Sequence, residues 1–264
     1  MRALRLAAPL SGLDNWDICR AEEMILGYCA KWVEQDKDRV TLGVEKRFQL
    51  QLHDGNTMVA GSLDALIREH DSRVRLIEHK TSSKDISPGS PYWANVIAAD
   101  SQISTYMQAL KGMGYEATDC VYDVLRKITL LPYKATPMGD RKYTKATKNT
   151  TSRLYADQRV TDETLEEYRL RIREDIASQP QHYYVRQTVV RLDSDDEKHE
   201  DDVRGTVEMI NYSRERMIYP RHPASCQRYN TMCPYHGVCS GIDNINNERS
   251  FRTARTAHEE LVDG

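Results

Sequence analysis

Two apolar runs joined by a short polar turn constrain this chain more than any other feature. Residues Met58 to Arg68 and Arg73 to Thr81 are rich in Val, Ile and Leu, and Glu69-His70-Asp71-Ser72 separates them. That pattern predicts two consecutive strands in an antiparallel meander. A third strand, Thr41 to Leu52, precedes them across the turn signal Asp54-Gly55. Into this apolar hairpin the sequence places charge. Asp64 stands between Leu63 and Ala65, where a carboxylate is costly unless paired, hydrogen-bonded or on a metal. Glu78 and Lys80 lie two apart on the next strand and so share one face, with His79 on the other.

If the hairpin brings Asp64 beside Glu78, two oxygen donors converge, as Mg²⁺ or Mn²⁺ requires. Lys80 could then orient a water or stabilise charge developing on a phosphodiester. A buried carboxylate–lysine ion pair of purely structural use satisfies the same residues. Gln102 and Tyr106 follow on a predicted helix from Tyr92 to Met113, stopped by Gly112 and Gly114. Four apart, they share a helical face, where an amide and a phenol beside a metal could hold a phosphate. An amphipathic helix with a buried tyrosine is the plainer alternative.

Elsewhere the spacing predicts a helix over 17–34 with Asp17 as N-cap, placing Cys29 on its apolar stripe and Cys19 off it. A strand is expected over Thr118 to Lys127, a helix from Thr161 to Ser178, a strand from His182 to Leu192 and a polar helix from Asp195 to Met217. This order gives an α/β fold with one mixed central sheet flanked by helices. Consecutive strands are expected to pair, and the helix from Tyr92 to carry the chain to a further position in the sheet.

The formal charge of −3 makes no global case for nucleic acid, but the charge is uneven. From Tyr133 to Arg153 six basic residues (Lys134, Arg141, Lys142, Lys145, Lys148, Arg153) face one acid, Asp140. Such a segment could track a phosphate backbone, or be a solvated basic loop. From Asp193 to Asp202 seven acids face Lys198. No run approaches a membrane span, and the N-terminus lacks the apolar core of a signal peptide, so a cytoplasmic protein is expected. In that compartment the six cysteines point to metal rather than disulfides, since Cys226, Cys233 and Cys239 fall within fourteen residues.

Gly61-x-x-Asp64, then Glu78-x-Lys80, then Gln102-x-x-x-Tyr106 resembles the PD-(D/E)XK nuclease superfamily. More closely, it is similar to the RecB-type branch with its CRISPR-adaptation and phage exonuclease relatives. The wider segment Glu-His-Lys-Thr, Tyr92-Trp93, Asp100-x-Gln102 and Tyr122-Asp123-Val-Leu-Arg-Lys resembles phage members. The resemblance implies a restriction-endonuclease-like sheet and a DNA exonuclease or end-processing enzyme. Asp64 and Glu78 would bind Mg²⁺ or Mn²⁺, with the carbonyl of His79 as a further ligand and Lys80 as the catalytic lysine. Gln102 and Tyr106 would contact DNA, and Glu45 would be an additional acid near the metal. The nuclease domain would span 1–217, and 218–264 would be a cysteine-bearing segment with a polar tail.

Cys226-x6-Cys233-x5-Cys239 resembles the late cysteine triple of iron–sulfur members, which with one early cysteine hold a four-iron, four-sulfur cluster. Two features depart from the pattern: the first spacing is wider, and residues 1–50 contain no histidine for the early motif. The N-terminus is therefore expected to be foreshortened, with Cys19 the stand-in for the early ligand. Zinc completed by His222 or His236 is the alternative, and free thiols a third. A non-catalytic or truncated DNA-binding member of the same fold is the competing functional reading.

Overall fold

A computed structural model describes residues 12–52, 57–94, 100–148, 150–228 and 231–253. Helix α1 (Asn15–Asp36) is followed by β1 (Val40–Gln51), β2 (Met58–Arg68) and β3 (Val74–Ser82). Then come α2 (Ser101–Gly112), β4 (Ala117–Arg126), α3 (Leu165–Ser178), β5 (Tyr184–Val189) and α4 (Asp193–Arg216). A hairpin of β6 (Gln227–Arg228) and β7 (Thr231–Met232) and a short α5 (His236–Ser240) end the described chain. The large sheet has the order β1-β2-β3-β4-β5, so the expected mixed α/β sheet with flanking helices is present. Among the described residues no helix is long and apolar enough to cross a membrane.

Strands β2 and β3 are antiparallel, with Ala65 opposite Ile77 and Leu66 opposite Leu76. Strand β4 runs parallel to β3, with Glu78 opposite Tyr122 and His79 opposite Asp123, and β5 returns antiparallel beside it. The chain therefore goes to the position next to β3 after α2, not to a more distant one. Of the predicted helix from Tyr92 to Met113, residues 91–94 and α2 are helical, and 95–99 lie outside the described residues.

The chain divides into two compact units. The first comprises residues 1–44, 64–100 and 116–190. Here α1 packs on α3 around Cys19, Ile128, Tyr168, Ile172, Ile176, Tyr183 and Tyr184, and Ala65, Ile67, Ile77 and Val121 form a separate cluster on the sheet. The face of α1 differs from the expected one. Cys19 is fully buried and Cys29 is exposed. The reason is electrostatic: Glu22 and Glu23, each 1% exposed, turn inward because α3 supplies Arg169 and Arg173. Both guanidinium groups reach Glu23 at 2.9–3.0 Å, so a charged pair occupies ground that apolar periodicity assigns to solvent. Asp14, not Asp17, caps the helix by accepting from the Asp17 backbone N–H.

The second unit comprises residues 45–63, 101–115 and 191–264. Helix α4 packs on α2, where Thr105 Oγ1 lies 3.0 Å from His199 Nε2. Phe48 of β1 meets the Tyr106 ring edge-on at 5.7 Å between centroids. A Cβ on Gly61 would stand 2.8 Å from the Phe48 ring, so the glycine of the Gly-x-x-Asp pattern is there for close packing.

Two glycines in helices should respond oppositely to the same change. A Cβ at Gly27 would stand 2.5 Å from Tyr184 Oη and 2.7 Å from Ile176 Cγ2, whereas nothing lies within 4 Å at Gly205 of α4. Gly27→Ala is expected to cost about 1–3 kcal/mol through overpacking. Gly205→Ala should stabilise by about 0.5–1 kcal/mol through helix propensity. Denaturant melts of both variants check this.

Candidate active site

In the first unit β2 and β3 bring three of the expected residues together. Just past the Ala65–Ile77 pair, Asp64 Oδ2 accepts the backbone N–H of His79 at 2.8 Å, next to Glu78 in the chain. The Glu78 carboxylate is 1% exposed and forms an ion pair with Lys80, which is half-buried. Beyond that ammonium neither Glu78 oxygen has a hydrogen-bond partner among the described residues. The His79 ring lies on the other face, where its Nδ1 is 3.6 Å from Asp123 Oδ2.

Burial pushes the Glu78 carboxyl above its usual range; Lys80 opposes this, while the charges of Asp64 and Asp100 add to it. Burial works against the charge on Lys80, but its bond to Glu78 and the charges of Glu78, Asp64 and Asp100 outweigh that and raise it. The lysine is therefore held as a cation. In this state it serves as a hydrogen-bond donor and charge stabiliser rather than a base.

Asp100 is the acid whose importance single-sequence reasoning missed. Its Oδ2 accepts from Tyr122 Oη at 3.0 Å, and its charge acts on both Glu78 and Lys80. Burial, reinforced by Asp100, raises the Tyr122 phenol, which stays a neutral donor. Trp93 meets Tyr122 edge-on at 6.1 Å and donates Nε1–H to the Ile86 carbonyl at 2.7 Å, which fixes the wall behind it. The available signal was Asp100 immediately before the helix that carries Gln102. It became legible only through the parallel pairing that sets Tyr122 beside Glu78.

On the opposite face Asp123, fully buried, accepts from Tyr28 Oη and from Arg186 Nε at 2.8 Å. Arg186 also grips Asp36 at 2.6 and 2.9 Å and stacks over Trp32. This network clamps α1, β4 and β5 behind β3.

Gln102 and Tyr106 belong to the second unit. Gln102 Nε2 donates to Tyr106 Oη at 2.6 Å, so the expected pair forms. Glu45 is exposed, has φ +46° and accepts from Ser62 Oγ at 3.4 Å.

A family model described as the PD-(D/E)XK nuclease superfamily matches residues 1–240. The chain belongs to this superfamily. No curated protein matches it. Among solved structures it is similar to that of SSO0001, at 16% identity over 67% of this chain and 70% of the other, with a TM-score of 0.27. Membership in the PD-(D/E)XK superfamily assigns nuclease hydrolase chemistry in general, and its members typically use Mg²⁺ or Mn²⁺.

The site's donors suit such a cation. Mg²⁺ is commonly held by one or two carboxylates, with water and substrate phosphate completing the shell, rather than by an all-protein cage. Asp64 and Glu78 could supply two, and apart from Lys80 the Glu78 oxygens have no hydrogen-bond partner among the described residues. Among the described residues no group of three or more His, Cys, Asp or Glu is assembled to hold a metal as it stands.

That finding extends to the C-terminal cysteines. Cys226, Cys233 and Cys239 nevertheless line one cavity of about 320 Å³ with His222 and His236. The Cys233 N–H donates to the Cys226 carbonyl at 2.8 Å, closing the hairpin that carries both. Cys19 sits in the α1–α3 core, where burial raises its thiol, the setting of an inert structural cysteine. In the basic segment, Lys142, Lys145 and Lys148 are exposed, while Arg141 donates to the carbonyls of Thr136 and Val160 at 2.9 and 3.0 Å.

Because burial raises the Glu78 carboxyl, protons compete with a cation for it at pH values above the ordinary 4.5. Mn²⁺ affinity measured by calorimetry should therefore weaken as pH falls toward that value from neutral. Glu78→Gln should lower affinity at least about tenfold and flatten the pH dependence.

Proposed function

We propose that this chain is a metal-dependent deoxyribonuclease of the RecB-type branch. It acts as an exonuclease or end-processing enzyme in phage or bacterial recombination, repair or DNA degradation. The observation that carries the reading is the Glu78–Lys80 pair, a buried carboxylate whose one charged partner among the described residues is a lysine held cationic, next to Asp64.

In this reading Asp64 and Glu78 hold Mg²⁺ or Mn²⁺, with the His79 carbonyl as a further oxygen donor. The cation supplies Lewis-acid polarisation of the scissile phosphate and a lowered pKa for an attacking water. Lys80 donates toward the oxygen on which charge grows, and its charge is maintained by Glu78, Asp64 and Asp100. Asp100 holds the Tyr122 hydroxyl and adds negative charge that strengthens cation binding. Gln102 and Tyr106, joined as a donor–acceptor pair, contact the DNA and help position the phosphate. The three late cysteines take either a four-iron, four-sulfur cluster completed by an early cysteine, with Cys19 the stand-in, or zinc completed by His222 or His236.

The test uses linear end-labelled DNA with Mn²⁺, Mg²⁺ or EDTA. Wild type should degrade it only with metal. Asp64→Ala, Glu78→Ala and Lys80→Ala should each lose about 10³-fold or more in rate, with DNA binding retained by Lys80→Ala. Gln102→Ala and Tyr106→Phe should lose about 10- to 100-fold. Binding without cleavage under every metal condition would instead establish a non-catalytic DNA-binding member.

Protein purified without oxygen should carry either iron with acid-labile sulfide or zinc, and Cys226→Ser and Cys233→Ser should release it. A metal-free wild type would leave the cysteines as free thiols.

A further inference from the structure

The segment between β4 and α3 is a built element. Its root is anchored on α3: Arg171 forms ion pairs with Glu163 at 2.7–2.8 Å, stacks 3.9 Å over Tyr133 and donates to the Leu131 carbonyl. Glu163 in turn accepts the Tyr133 backbone N–H at 2.8 Å. Above the root the two limbs are cross-tied. The Thr136 N–H donates to the Arg159 carbonyl, and the Lys142 N–H to Gln158 Oε1. The guanidinium of Arg141 bonds the carbonyls of Thr136 and Val160, making it an internal strut.

Beyond the strut the limbs pair as an antiparallel ribbon. Tyr155 N–H donates to the Lys142 carbonyl at 3.1 Å, Thr144 N–H to Arg153 at 2.8 Å and Thr147 N–H to Thr150 at 2.9 Å. With the Tyr143–Leu154 and Thr147–Thr150 bridges, all these pairs keep one register. Hydroxyls add to the ladder: Ser152 Oγ donates to the Thr144 carbonyl and Arg153 N–H to Thr144 Oγ1.

The charge of the ribbon is extreme for this chain. Residues 141–155 contain five basic residues and no acid, in a protein of net charge −3. Lys142, Lys145, Lys148 and Arg153 are exposed and, among the described residues, form no ion pair. Alternation along the limbs puts Lys142 and Arg153 on one face and Lys145 on the other, with Lys148 at the tip. A two-stranded ribbon fits the major groove of B-form DNA, which is about 12 Å wide. Cations on both faces then meet the two phosphate walls that flank it, an arrangement to which a single strand offers no counterpart.

We propose that this ribbon is a duplex-gripping arm that seats in a DNA groove through phosphate contacts, so that the nuclease takes double-stranded substrate. The inference rests on DNA being the substrate of the proposed function. Four exposed cations contribute phosphate contacts and carry no sequence readout, so the arm holds DNA of any sequence.

The experiment compares the full chain with a variant carrying Lys142→Gln, Lys145→Gln, Lys148→Gln and Arg153→Gln. Binding to a short labelled duplex and to its single strand is measured by anisotropy without divalent cation, from roughly 50 to 200 mM salt. The variant should lose about 10- to 100-fold in duplex affinity, its log–log salt slope should become shallower by up to about 3.6, and single-strand binding should change less. Melting temperature should be unchanged. A second variant with arginine at the three lysines should keep duplex affinity. An unchanged duplex affinity and slope, or an equal loss on single strands, would overturn the arm. Absence of cleavage in wild type would overturn the nuclease reading alone, because binding is read without metal.

Discussion

The ion pair between Glu78 and Lys80 on the central strand of the five-stranded sheet is the constraint on which the rest of the site depends. A carboxylate 1% exposed, with no other hydrogen-bond partner among the described residues, is a costly group to keep in a fold. A hydrophobic pair of the same volume would be at least as stable there. Strand β3 instead keeps the acid and the cation on one face and surrounds them with Asp64, Asp100 and Tyr122. The charges of Asp64 and Asp100 add to the rise of the Glu78 carboxyl and, with Glu78, hold Lys80 charged.

The neighbouring architecture supports that strand from behind. Asp123 and Arg186 lock β4 to β5, and Tyr28 and Asp36 of α1 close on the same guanidinium. Helix α1 is itself held to α3 by Glu22 and Glu23 against Arg169 and Arg173. Buried charge is thus used twice for different ends. Behind the sheet Asp123 is held through Oδ2 by Tyr28 and Arg186 and ties elements together; at the candidate site Glu78 is paired with Lys80 on its own strand.

Much of this was legible from the chain. The β2–β3 hairpin, with Asp64, Glu78 and Lys80 where their side chains meet, follows from period-two alternation and a polar turn. The Gln102–Tyr106 pair follows from helical spacing. Other features were not legible. Cys19 and Cys29 exchanged places because apolar periodicity gives no weight to glutamates that will find arginines. Asp100, quoted only within a wider motif, gained a partner of its own once Tyr122 was placed beside Glu78. The basic segment looked like a loop because its alternation is carried by threonine, lysine and serine, which mark no buried face.

By itself the sequence determined what is local: the order of strands and helices, the face of each strand, and the hairpin that joins two carboxylates to a lysine. These depend on turn chemistry and alternation over a few residues, where the chain has little choice. Only the tertiary structure decided the parallel seat of β4 beside β3, the partners of the buried acids and the pairing of the basic arm. Arg169 meets Glu23 across 146 residues, and Arg186 meets Tyr28 across 158. At such separations charge complementarity and burial choose among many partners, and no local pattern records the choice.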